Sequence, residues 1–87
     1  MILILHMKHG DYPVYARNAF EQDLAYIHLF KLMDGHGFYN GDLDGDQIEW
    51  YKQAKKGDAL TARTLLCYRS DRGYGHETIE ELHPIEP

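Results

Sequence analysis

With 87 residues, this chain has room for one core, because a polypeptide of this size buries only about 60 to 65% of its unfolded surface. It is 44% hydrophobic and 13% aromatic with a net charge of −5, which excludes a disordered chain and disfavours one held on nucleic acid by bulk charge. A single cysteine, Cys67, excludes an intramolecular disulfide and a cysteine-based zinc cage. No apolar run is long enough to span a bilayer, so the reading is a cytoplasmic domain with no membrane partner.

In chain order, Met1 to Met7 is apolar and compatible with a strand, Lys8 to Asp11 is turn chemistry, and Tyr12 to Tyr15 carries Pro13. This predicts a β-hairpin whose second strand lies at an edge, where a missing N–H is tolerated. Asn18 followed by Glu21 opens a largely buried helix over Ala19 to Met33, with Phe20, Leu24, Ile27 and Phe30 at helical spacing, Leu29, Leu32 and Met33 widening the apolar stripe, and Gly35 as its end. The glycine-rich Asp34 to Gly45 reads as a loop, with Phe38 and Tyr39 among its exposed rings.

Asp46 with Glu49 has capping-box spacing and predicts a helix over Gln47 to Lys56, with Ile48, Tyr51 and Ala54 inward. Gly57 and Asp58 end that helix and cap the next, Ala59 to Arg69, whose Ala59, Ala62, Leu65 and Leu66 face inward. After Ser70 to Gly75, His76 to Leu82 predicts a third strand beside the first, and the tail His83 to Pro87 is expected to fray. The expected fold is α+β, in the order β-β-α-α-α-β, with a small antiparallel sheet packed on three helices.

Charge is unevenly spread. Lys52 to Arg72 holds six basic and two acidic residues, which leaves the remainder at −9. A basic helical hairpin between acidic flanks can steer a charged partner to one face. The candidate partner-binding residues are Tyr39, Arg63, Arg69, Arg72 and Tyr74 on the aromatic and basic side, and Glu77, Glu80 and Glu81 on an acidic side able to mimic nucleic acid. The hairpin also has helix-turn-helix spacing, with Arg63, Thr64 and Arg69 on its second helix, but the overall acidity argues against direct nucleic-acid binding.

Catalytic signatures are missing from the sequence: it has no HExxH, P-loop or GxSxG pattern, and the histidines lack a helical pair with a supporting carboxylate. The reading is a non-enzymatic protein without a cofactor. A calcium site is the alternative, because Asn40, Asp42, Asp44, Gly45 and Asp46 resemble the first half of an EF-hand loop. Its second half departs from the pattern, with Ile48 and Tyr51 where a ligand and the closing glutamate belong.

The segment WYKQAKKGDALTARTLL, Trp50 to Leu66, resembles one tetratricopeptide-like unit, and a solenoid needs about three of them. The longer pattern WYKQAKKGDALTARTLLCYRSD with the following strand, Trp50 to Glu81, is similar to small accessory proteins of bacteriophages and prophages. That resemblance implies a protein that binds a host protein or protein–nucleic acid complex, such as an inhibitor of a CRISPR-type defence or of transcription. A homodimer that pairs through the edge at Val14 and the exposed aromatics is the remaining alternative.

Overall fold

The computed structural model describes residues 2–7, 10–39, 41, 43–71 and 78–81. Two strands, β1 (Ile2–Met7) and β2 (Gly10–Tyr15), are followed by three helices, α1 (Ala19–Gly35), α2 (Gly45–Lys55) and α3 (Ala59–Asp71). The α+β architecture is therefore the one the sequence predicts. A short strand, β3 (Thr78–Glu81), runs antiparallel to β1 on the side away from β2, which places β1 in the centre and β2 at an edge. The tail from His83 to Pro87 and the turn residues Lys8 and His9 lie outside the described residues.

The strand period decides which face meets the helices. Leu3, Leu5 and Met7 are buried, whereas Ile2, Ile4 and His6 are half-buried on the opposite face. Cross-strand register puts Val14 opposite Leu3 and Tyr12 opposite Leu5, so these two also lean on the core. His6 faces Asp11 on the outer side, with Nδ1 at 2.9 Å from Oδ1. Ile4 faces Pro13. A pair that includes proline cannot exchange two ladder bonds, so it is a non-hydrogen-bonded pair and the proline nitrogen points away from β1, as an edge position allows.

Of the expected stripe on α1, Leu29, Phe30 and Met33 are buried as predicted, but its N-terminal part is not. Ala25, Tyr26, Leu29, Phe30 and Met33 are buried, while Phe20 is 71% exposed and Leu24 is also exposed. Large apolar residues occur on nearly every side of this helix, so spacing does not select a face; the packing against α3 does. Ala25 permits close approach, and Tyr26 lies flat enough beneath α3 for the Arg63 guanidinium to sit 5.3 Å from its ring centroid. At the start of α1, Asn18 Oδ1 accepts the Glu21 backbone N–H at 2.9 Å, as expected of a cap. The Glu21 carboxylate turns to Arg17 instead of the cap, accepting from its backbone N–H at 2.8 Å and from Nη2 at 3.0 Å. These bonds hold the Glu21 carboxyl below its ordinary range.

The end of α1 also departs from expectation. Gly35 is still helical, and the residue with positive φ is Gly37 at +74°. The Gly37 N–H donates to Asp34 O and the Phe38 N–H to Met33 O, the paired bonds of a Schellman turn. That turn folds Phe38 and Tyr39 back onto the helix they follow. Tyr39 is consequently 2% exposed, with its ring 5.2 Å from Phe30 and 5.7 Å from Tyr51, and its hydroxyl donates to Met33 Sδ at 3.6 Å.

Helix α2 begins at Gly45 with Asp44 as its N-cap, not at Gln47 with Asp46. The Gln47 N–H donates to Asp44 Oδ1 at 3.3 Å and Gln47 Oε1 accepts the Asp44 N–H at 3.4 Å, completing a reciprocal capping box. The sequence holds two overlapping boxes, Asp44 with Gln47 and Asp46 with Glu49. The first is used because it turns Gln47 and Ala54 inward with Trp50 and Tyr51 beside them, and leaves Glu49 in solvent against Lys52 at 3.6 Å. Ile48, expected inward, is 41% exposed.

The link between α2 and α3 follows the sequence reading closely. Gly57 has φ +95°, its N–H donates to Ala54 O at 3.0 Å, and the Asp58 N–H donates to Gln53 O at 3.3 Å, a second Schellman turn. Asp58 Oδ1 then accepts the Thr61 N–H at 3.2 Å and caps α3. Ala54 and Ala62 are both fully buried where the two helices meet, and Leu65 and Leu66 carry α3 into the common core, with Ala59 only half-buried.

Candidate functional site

Helix α3 buries Ala62, Leu65 and Leu66, so its opposite side presents Leu60, Arg63, Thr64 and Cys67 at i, i+3, i+4 and i+7 spacing. With Trp50 from α2 and Tyr68 from α3, these residues line an open groove of about 420 Å³. Its wall is aromatic: the Trp50 and Tyr68 rings meet edge to face at 6.0 Å. Leu60 stands at the mouth with 73% of its surface in solvent, the most exposed large apolar residue among those described. Arg63 supplies the cation, held in place by the Tyr26 ring, and the Thr64 hydroxyl is engaged with Leu60 O at 2.8 Å. A groove of this make-up can take an apolar side chain at its centre and a hydrogen-bond acceptor at its rim.

A second concavity, about 450 Å³, opens between the end of the α1–α2 loop and the other side of α2. Tyr39, Leu43, Ile48 and Tyr51 line it together with Lys52 and Lys55. The Tyr51 hydroxyl donates to Asp34 Oδ1, and the Lys55 ammonium lies 5.2 Å from the Tyr51 ring centroid. The hydrogen bond to Asp34 and partial burial raise the Tyr51 pKa, only partly offset by Lys55. A third and smaller hollow, about 280 Å³, lies between β2 and α1 and includes Tyr15, Leu24 and His28.

The expected site residues fall in different places. Arg63 sits in the groove, and Arg69 lies near the end of α3. Tyr39 does not present itself to a partner: its Schellman-turn position makes it a core residue. Glu80 and Glu81 lie on β3, opposite Ile4 and Leu3 of β1. Arg72, Tyr74 and Glu77 lie outside the described residues, as do Asn40 and Asp42 of the EF-hand-like loop. Of the other two loop residues, Asp44 is the cap of α2 and Asp46 an exposed acid in its first turn. Among the described residues, no group of three histidine, cysteine or acidic side chains is placed to hold a metal ion. His28 lines the hollow beside β2, and His36 lies at the end of α1 with its ring 6.2 Å from that of Tyr12.

Sequence reasoning missed Trp50, Leu60, Cys67 and Tyr68 as parts of one surface. The available signal was Leu60, a large apolar residue lying off the Ala62, Leu65 and Leu66 stripe of its own helix. Among the described residues, no helix is long and apolar enough to cross a membrane. No protein-family model matches this chain, and no curated protein or solved structure matches it significantly.

Proposed function

We propose that this protein acts by binding, not by catalysis, and that the outer face of α2 and α3 is its docking surface for a macromolecular partner. The observation that carries this reading is Leu60, 73% exposed at the mouth of a groove walled by Trp50 and Tyr68 and rimmed by Arg63. An apolar residue held in water on a regular helix gains free energy only when something covers it, about 25 cal/mol for each Å² removed from solvent. Trp, Tyr and Arg beside it are the residue types in which interface energy concentrates. The proposed role is that of a phage-type accessory protein, acting in the host cytoplasm, that occludes or adapts a defence or transcription complex.

The test is affinity capture from bacterial lysate, at low and moderate salt and after nuclease treatment, with the wild type and with Leu60→Asp and Arg63→Glu variants. Leu60 is exposed and Arg63 lies on the surface, so both variants are expected to melt near the wild type. One stoichiometric host protein that survives nuclease and is weakened about tenfold or more by Leu60→Asp is the expected result. Capture of nucleic acid alone, or a partner indifferent to both variants, overturns it.

A further inference from the structure

We infer that the concavity on the other side of α2 is a binding site for a small amphipathic anion, a medium-chain monocarboxylate. Its walls are largely apolar, formed by Tyr39, Leu43, Ile48 and Tyr51. Ile48 is 41% exposed there, an apolar surface that an aliphatic chain would cover. The charged side chains among its described lining residues, Lys52 and Lys55, are of one sign. Lys52 and Lys55 are three residues apart, on the same side of α2 as Ile48, so both side chains line the same cavity.

Two of the acids near the cavity are already engaged. Asp34 accepts the Tyr51 hydroxyl, and Glu49 faces Lys52 across 3.6 Å of open surface. An exposed pair of that kind contributes little, so it yields readily to a carboxylate brought in by an apolar chain. A carboxylate at the lysines and an aliphatic tail against Leu43 and Ile48 match both parts of the lining, whereas an alkyl ammonium places like charges together. The inference is separate from the groove at Leu60, which opens on the Trp50 side of the helix.

The test uses the full chain, ¹⁵N-labelled, titrated with octanoate, octanol and octylammonium, and read by amide shifts. Octanoate is expected to give saturable shifts centred on Leu43, Ile48, Tyr51, Lys52 and Lys55, and to bind about tenfold more tightly than octanol, with octylammonium weaker still. Lys52→Gln and Lys55→Gln are each expected to weaken octanoate about threefold or more while leaving octanol unchanged. Leu60→Asp is expected to leave the titration intact, so loss of partner capture and loss of anion binding are separate results. Equal affinities for octanoate and octanol, no saturation by about 10 mM, or shifts centred on Trp50 and Leu60 would each overturn the inference.

Discussion

Tyr51 shows how much one side chain can report. Its hydroxyl donates to Asp34, and that bond raises its pKa above the ordinary value of about 10. A tyrosine whose folded pKa is raised contributes stability that is fully present below its unfolded pKa and is lost as pH rises through the folded value. Tyr51→Phe is therefore expected to cost about 1 kcal/mol at neutral pH, and the difference from wild type is expected to shrink in strong alkali. Alkaline titration by tyrosinate absorbance, together with melts across the same pH range, checks both; a gap independent of pH would contradict the assignment. A second comparison contrasts two phenylalanines of α1. Phe30→Ala empties a fully buried position between Tyr39 and Tyr51 and is expected to cost about 3 to 5 kcal/mol. Phe20→Ala, at an exposed site, is expected to change stability by less than about 0.5 kcal/mol. Chemical denaturation of the two variants distinguishes this packing from the reverse stripe.

At the scale of the element, the caps separate what the sequence shows from what it hides. Asn18, Gly57 and Asp58 were legible because each has one available partner within three residues and no competitor. The start of α2 was not, because two boxes overlap by two residues and the choice depends on which side of the helix meets α1 and α3. Asp44→Ala is expected to cost about 1 kcal/mol and Asp46→Ala only about 0.3 kcal/mol, since Asp44 bonds the backbone and Asp46 contributes through the helix dipole. Equal losses in thermal melts would return the cap to Asp46. The same limit explains Tyr39. Its glycine-rich setting signals a loop, but whether a loop residue returns to the core depends on the handedness of one residue, Gly37, and on the space left by Met33, Phe30 and Tyr51. The groove at Leu60 was half legible: Arg63 was singled out by charge, while the aromatic wall required knowing that Trp50 and Tyr68 converge from two helices.

At the scale of the whole molecule, β1 and β2 and three helices share one core, with two distinct concavities flanking α2. The orientation of Pro13 has a consequence for the protein at high concentration. On β2 the outward-pointing backbone positions are Asp11, Pro13 and Tyr15, and the middle one has no proton to give. An incoming strand would find two donors interrupted by a gap, beside the exposed carboxylate of Asp11. Pro13→Thr supplies the missing N–H and is expected to produce concentration-dependent association in light scattering and sedimentation, with none expected of the wild type through this edge. Persistence of the wild-type profile in that variant would assign no protective role to the proline. One imino acid then acts as a chain terminator, letting a small sheet remain open-ended without seeding its own polymer.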